Sequence, residues 1–190
     1  MRVISGTARG HKLITPTNLK TRPTGDRMKE DLFNILAPSI RDAAFLDMYC
    51  GSGAIGIEAL SRGAKETVFI DASKEAIAAT EANLFKTRLK DRAEIIYMEV
   101  SQALKKLQGR MFNIIFMDPP YDISSGELNL VFPLIVHGGF LAEKGIIVAE
   151  CPADAILPDF AVTTGLSVDR QKIYAQTQFI FYSREGRDDR

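Results

Sequence analysis

Residues 116–122 read FMDPPYD. An apolar run, NIIFM, ends in an acid, two prolines and an aromatic ring: Asp118, Pro119, Pro120 and Tyr121. Pro119 lacks a backbone donor and disfavours the helical region for Asp118, so the segment stays extended and leaves its sheet there. That explains a stop. It leaves the carboxylate and the ring beside it unexplained. A second group lies upstream, in DMYCGSGAIG, residues 47–56. Gly51 and Gly53 permit tight backbone and close approach of a ligand. Free N–H groups at a helix start hold a carboxylate or phosphate. Asp71 follows Asp47 by 24 residues, where an acid accepts from both hydroxyls of a ribose. Two cofactors fit, a dinucleotide and S-adenosylmethionine. Gly51, Gly53 and Gly56 satisfy the dinucleotide pattern G-x-G-x-x-G. Asp47 favours the other reading, because a carboxylate facing two phosphates is unfavourable and one near the amino group of a methionine moiety is favourable. A plain strand–helix turn accounts for the glycines but for neither acid. Glu99, in IIYMEVSQAL, stands where an acid accepts from an adenine amino group. It equally suits a solvated acid beginning a helix, where negative charge is favoured.

These residues need elements to hold them. From residue 44 the chain alternates strictly. AFLDMY reads as a strand and AIGIEALSRG as a helix ended by Gly63. ETVFID, EIIYM, NIIFMD and GIIVAEC read as further strands. SKEAIAATEANLFKTR, SQALKKL and ELNLVFPLIVHG read as helices. The tail from about Ala161 holds two more strands that suit a hairpin. Short Val/Ile/Phe-rich runs between helices imply a parallel sheet covered on both faces. Ligands of such sheets bind beyond the carboxyl ends of the strands, where the acids fall. Ahead of this unit, residues 2–15 suit a small hairpin with Gly6 and Gly10 at its turn. RMKEDLFNIL has helical spacing, with Met28, Leu32, Ile35 and Leu36 on one face and Thr24 or Asp26 as a cap.

Composition narrows the class. The chain has 190 residues, 46% hydrophobic and 25% charged, ordinary for a globular domain. No stretch approaches the roughly 18 apolar residues of a membrane span, and the N-terminus has no signal-peptide core. Two cysteines, Cys50 and Cys151, suggest neither a disulfide nor a zinc framework. The expectation is a cytoplasmic protein without metal or membrane partner. His11 and His137 belong to no catalytic group. The zero net charge conceals an asymmetry. Residues 1–30 carry seven Lys/Arg against two Asp/Glu, and the other 160 carry 17 against 22. A basic segment on an acidic body suits a polyanionic partner or a solubilising arm.

DPPY beside a methyl donor resembles the amino-methyltransferases, which methylate exocyclic amines conjugated to a ring or carbonyl. Such an amine has a delocalised lone pair. The Asp118 carboxylate and the Pro119 carbonyl suit its two hydrogens, and Tyr121 suits the face of its base, a stack worth roughly 1–3 kcal/mol. Asp118 also suits the released proton. Cys50 raises the thought of cytosine-C5 chemistry, but in the glycine loop it suits a small packed residue.

RVISGTARGHKL, RPTGDRMKEDLFNIL, FLDMYCGSGAIGIEALSRGA and DPPY together resemble the bacterial small-subunit ribosomal RNA guanine-N2 methyltransferases, from residue 2 to about 183. The resemblance implies a Rossmann-like class I α/β methyltransferase. Its sheet would have seven strands, mostly parallel, with a C-terminal antiparallel hairpin and a small N-terminal β-hairpin extension. It implies a basic arm at 1–22, a methyltransferase domain at 23–185 and a tail at 186–190. S-adenosylmethionine would be the donor and N2 of one guanine in 16S ribosomal RNA, on the small subunit or an assembly intermediate, the target. By matching positions, Asp47, Tyr49, Cys50, Gly51, Ser52, Gly53, Asp71, Ala72, Glu99 and Val100 would hold the cofactor. Glu99 departs from the Asp or Asn common there. Asp118, Pro119, Pro120 and Tyr121 would hold the base, and Arg22, Thr24 and Arg27 would border the site, against cofactor or RNA. The charge of the arm makes Arg2, Arg9 and Lys12, with Arg22 and Arg27, the candidates for RNA. The rivals are a DNA adenine-N6 methyltransferase, a protein glutamine methyltransferase and a non-enzymatic RNA-binding module.

Overall fold

Every strand and helix expected beyond residue 44 is present in the computed structural model, which describes residues 1–15, 25–119, 124–155 and 164–184. Along the chain run α1 (Asp26–Ile40), β1 (Ala44–Met48), α2 (Ala54–Ser61), β2 (Glu66–Asp71), α3 (Lys74–Thr87), β3 (Ala93–Tyr97) and α4 (Val100–Lys106). Then come β4 (Phe112–Met117), α5 (Ser124–His137), β5 (Leu141–Pro152), β6 (Leu166–Ile173) and β7 (Thr177–Arg184). The sheet has seven strands. The chain folds as two compact units, Met1–Val100 and Ser101–Arg190.

In the first unit β1 and β3 flank β2, all parallel. Leu46 pairs with Val68, and Asp71 with Tyr97. The carboxyl ends of the three strands therefore share one edge. Phe45 to Met48 and Thr67 to Ile70 are buried, as expected of strands covered on both faces. All eight residues of α2 are buried. Gly56 makes the packing of α2 possible: a Cβ there would fall 2.3 Å from the Phe69 ring of β2. The third glycine of the G-x-G-x-x-G pattern thus serves helix–strand packing.

Two expectations near the N-terminus are corrected. The cap of α1 is neither Thr24, which lies outside the described residues, nor Asp26. Gly25 takes that position with no side-chain bond, and the Asp26 carboxylate instead accepts from Arg2 Nε at 3.1 Å. The buried stripe is Lys29, Leu32, Phe33, Leu36 and Ile40, while Met28 and Ile35 are only half-buried. Burying Leu32, Phe33 and Leu36 stabilises the unit by about 1.5–3 kcal/mol each.

The expected hairpin has a single antiparallel bridge, Arg2 with Lys12. Val3 N–H donates to the His11 carbonyl at 3.0 Å and Gly10 N–H to the Val3 carbonyl at 2.9 Å. Leu13 N–H donates to the Met1 carbonyl at 3.1 Å, and side chains of distant helices supply further partners. Ile4 and Ser5 N–H donate to the two carboxylate oxygens of Glu58 at 2.8 and 2.9 Å. Ser61 Oγ accepts from Ala8 N–H at 2.9 Å and donates to the Ser5 carbonyl at 2.6 Å. Asn83 brackets Ile14, accepting its N–H at 2.7 Å and donating to its carbonyl at 2.9 Å. Gly6 seats the turn, because a Cβ there would fall 1.8 Å from the Ser61 carbonyl oxygen.

Glu58 is also the acceptor for two cations. Lys29 Nζ lies 3.4 Å away and Arg62 Nε 2.8 Å away. Burial pushes the Lys29 ammonium below its usual range, and Glu58 opposes that shift. Lys29 further donates to the Arg2 carbonyl at 2.5 Å.

In the second unit β4 and β5 are parallel, with Met117 beside Ala149. β5 and β7 are antiparallel, as are β6 and β7, which gives the expected C-terminal hairpin. Its core stacks Phe116 on Phe179 and Phe132 on Tyr182, edge to face. The outer strand β6 carries exposed Asp169, Arg170 and Lys172, charges that discourage edge pairing with other chains.

Replacing Glu58 by Ala strands Lys29 and two backbone donors in the core. The expected loss is about 3–5 kcal/mol, read as a lower midpoint in urea unfolding.

Candidate active site

The left-handed turn after β1 is the centre of the candidate site. Tyr49, Gly51 and Gly53 have φ of 61°, 55° and 73°. A positive φ is costly for tyrosine and persists only where the surroundings impose it. They do so with four bonds. Cys50 N–H donates to the Ile70 carbonyl at 2.9 Å. Gly51 N–H donates to Asp71 Oδ2 at 2.8 Å. Thr80 Oγ1 donates to the Gly51 carbonyl at 3.0 Å, and Asn83 Nδ2 to the Ser52 carbonyl at 2.9 Å. Thr80 and Asn83 lie three residues apart on one face of α3 and were missed from sequence. Their signal was there: polar residues at positions that share the buried register of Ala76, Ala79 and Leu84.

Asp71 ends β2 with each carboxylate oxygen on a backbone donor, since Ser73 N–H reaches Oδ1 at 2.8 Å. Burial raises its pKa, and these N–H groups oppose the rise. A carboxylate carries about four acceptor sites, so Asp71 retains capacity for a hydroxyl beside these donors. Asp47 sits deeper, at 1% exposure. Its Oδ2 accepts from Gly56 N–H at 2.8 Å in the first turn of α2. Burial lifts its pKa to about 8; the Gly56 bond pulls it back and the charge of Asp71 adds to the rise. Cys50 is buried between these acids, 3.7 Å from Thr80 Oγ1. Burial, then Asp47 and Asp71, push its thiol well above the usual range. Such a thiol is a packed residue and a poor nucleophile.

Ser52 is buried, and Ala72 beyond Asp71 is exposed. Glu99 is exposed immediately before α4, and Val100 is buried at that helix's start. Asp71 pairs with Tyr97, so the chain reaches Glu99 at the edge where Asp71 lies. The first unit therefore assembles Asp47, the loop to Gly53, Asp71 and Glu99 along one set of strand ends.

In the second unit Asp118 follows Met117, half-buried, and Pro119 is buried. Pro120 and Tyr121 lie outside the described residues. Of the basic candidates, Arg2, Arg9, Lys12 and Arg27 are exposed, and Arg22 lies outside the described residues. Lys86 of α3 donates to the Lys12 carbonyl at 2.6 Å, fixing the backbone of the arm and leaving the Lys12 ammonium in solvent.

The family described as Conserved hypothetical protein 95 matches residues 1–183. The chain belongs to that family. It is 35% identical over 189 residues to Ribosomal RNA small subunit methyltransferase D of Escherichia coli (strain K12), covering 100% of this chain and 92% of that one. The solved structure of yhhF from Escherichia coli has a TM-score of 0.83 at 34% identity, over 97% of this chain and 98% of that chain. More distant in sequence, SMU.776, solved in complex with SAH, has a TM-score of 0.67 at 16% identity, over 81% of this chain and 48% of that chain; it shares the fold. The fold is the Rossmann-like one of methyltransferases. Among the described residues no helix is long and apolar enough to cross a membrane.

The raised pKa of Asp47 has a sign that can be tested. In the folded chain the acid holds its proton up to about pH 8, against an ordinary value of 3.8. The folded state therefore binds more protons than the unfolded state between those values, and stability falls as pH rises through the window. Asp47→Asn removes that component. Denaturant midpoints measured across the window should decline less steeply in the variant than in the wild type, and equal slopes would contradict the burial argument.

Proposed function

We propose that the chain transfers a methyl group from S-adenosylmethionine to the exocyclic N2 of a guanine in 16S ribosomal RNA, within the small subunit or an assembly intermediate. The observation that carries the reading is the acid–proline stop at the end of β4, in a chain whose family includes a named ribosomal RNA small subunit methyltransferase. In this reading residues 1–22 are a basic arm, 23–185 the methyltransferase domain and 186–190 a tail, and the enzyme is cytoplasmic.

The first unit's donors and acceptors suit this cofactor better than a dinucleotide. An ammonium beside Asp47 favours its ionised form and Asp71 accepts from a ribose diol, whereas a pyrophosphate opposes both acids. At Gly51 an added Cβ would meet nothing within 4 Å, so the loop presents open space on its outer side. Asp47, the loop from Tyr49 to Gly53, Asp71 with Ala72, and Glu99 with Val100 are the residues assigned to hold the cofactor. S-adenosylmethionine supplies, when bound, an electrophilic methyl carried on a sulfonium.

The chain's own residues then do three things. Asp118 and the Pro119 carbonyl accept the two hydrogens of the amine, which orients its lone pair. Asp118 takes the proton that the nitrogen sheds once methylated. Tyr121 stacks on the base after it leaves its helix, as a buried exocyclic amine requires. Positioning supplies most of the rate, and no enzyme nucleophile takes part.

Labelled methyl transfer to small subunits from a strain lacking this methylation, compared with naked RNA and DNA, tests the reading. The label should map to guanine N2; label on adenine N6 or on protein would overturn it. Asp118→Ala should abolish transfer while S-adenosylmethionine still binds, as measured by calorimetry. Neutralising Arg2, Arg9 and Lys12 together should weaken substrate binding and flatten its salt dependence, each lost phosphate contact lowering the slope by about 0.7–0.9. A slope unchanged by the triple substitution would remove the arm from the RNA interface.

A further inference from the structure

We propose that the outer side of the end of α3, Phe85 with Arg88, is a second RNA contact: it stacks an unpaired base of the substrate and grips the adjoining phosphate beside the N-terminal arm. The inference rests on the ribosomal RNA reading above and lies within the first unit alone.

α3 has two unlike faces. Ala76, Ala79, Thr80, Asn83, Leu84 and Thr87 are buried, and Thr80 and Asn83 hold the glycine loop from there. Phe85 is on the opposite side and 78% exposed. Ala78 and Ala82 precede it on that side and are exposed as well. A phenylalanine so placed adds nothing to the core, and its ring is open to a ligand.

Arg88 follows as the C-cap of α3, in the left-handed conformation with φ 59° and ψ 35°. Glycine is the usual residue there, because it has no Cβ to strain. Here the position carries an exposed arginine. Arg88 N–H donates to the Phe85 carbonyl at 3.1 Å, so ring and guanidinium belong to one turn. A turn rises about 5.4 Å, within the span of a single nucleotide.

The charge around the ring is of one sign. From Phe85 to Lys90 the chain carries Lys86, Arg88 and Lys90 and no acid; Glu81 and Asp91 stand outside that run. Lys86 Nζ donates to the Lys12 carbonyl at 2.6 Å, which joins this turn to the arm, where Lys12 is exposed. The arm and the end of α3 therefore form one continuous basic surface with an aromatic ring in it. Cations at a helix C-terminus also complement its dipole, but the dipole gives no reason for an exposed ring. The core of a protein–protein interface is depleted of charged residues. An aromatic ring set among cations instead matches single-stranded RNA, whose bases stack on the ring while the cations meet its phosphates.

The test measures binding to small subunits that lack this methylation, across a salt series, with urea unfolding alongside. Phe85→Ala should weaken binding about tenfold with the salt slope unchanged, and Phe85→Trp should retain wild-type binding. Arg88→Gly should weaken binding and lower the slope by about 0.7–0.9. It should also unfold at the same or a higher urea midpoint, because glycine relieves the left-handed backbone. A purely structural role would lower binding and stability together, and that result in Arg88→Gly overturns the proposal. S-adenosylmethionine affinity should stay unchanged in all three variants. With Phe85 replaced by its photoreactive azido analogue, irradiation of the complex should label ribosomal RNA; label confined to ribosomal protein overturns the proposal. Unchanged affinity for small subunits in Phe85→Ala and Arg88→Gly also overturns it and leaves the methyltransferase reading intact. A wild-type chain that leaves small subunits unmethylated overturns that reading, and this surface with it.

Discussion

One carboxylate fixes the geometry on which the candidate site depends. Asp71 receives the N–H of Gly51 on one oxygen and that of Ser73 on the other. The first bond holds the left-handed loop after β1; the second starts α3 after β2. A single side chain thus sets two strand–helix turns against each other. Thr80 and Asn83, carried by that same α3, close the circuit by donating to the loop's carbonyls. The loop is held from both ends of one helix turn, so the positive φ at Tyr49 is sustained by its surroundings. Were Asp71 free to rotate, the backbone donors of the loop would be free to turn away as well.

The N-terminal arm is built on the same logic with different acids. A hairpin of so few residues is marginal alone, and this one has a single bridge pair. Glu58 and Asn83 supply further partners from α2 and α3. Glu58 would be costly to bury by itself; Lys29 and Arg62 neutralise it, and both its oxygens accept backbone donors. The arm's cations remain at the surface. Arg9, Lys12 and Arg27 are exposed, which keeps the charge asymmetry of residues 1–30 available to a polyanion. Asn83 touches both Ile14 of the arm and Ser52 of the loop. The arm and the loop of the first unit are joined through one amide.

The sequence made the sheet legible because buried parallel strands are continuous apolar runs, and helices of different period separate them. Asp47, Asp71 and Asp118 were legible as acids at strand ends. Their partners were not. Glu58 lies more than fifty positions from Ile4 and Ser5, and no local pattern marks such a pairing. Lys29 carries a charge, yet it completes the buried stripe of α1 with Phe33 and Ile40, so the buried face is turned from the one that Met28, Leu32, Ile35 and Leu36 mark by spacing. The hairpin was overextended because alternation in residues 2–15 cannot reveal that the acceptors come from helices. Gly56 matched a ligand-binding pattern, and its neighbour proved to be the Phe69 ring.

The three acids of the first unit share a property that governs how substitutions there should be understood. Asp47, Glu58 and Asp71 all accept from backbone N–H groups. A substitution removes the acceptor and never the donor, which is left in the core at a cost of about 1–3 kcal/mol. Any effect of replacing Asp47 or Asp71 therefore includes a loosened loop. At Asp47, which accepts on one oxygen, the amide keeps that acceptor, whereas at Asp71, which accepts on both, the amide leaves one N–H without its acceptor. Asp118 differs, because it stands after a strand, half-buried, at a proline-fixed stop. Pro119 holds the backbone there whatever side chain precedes it.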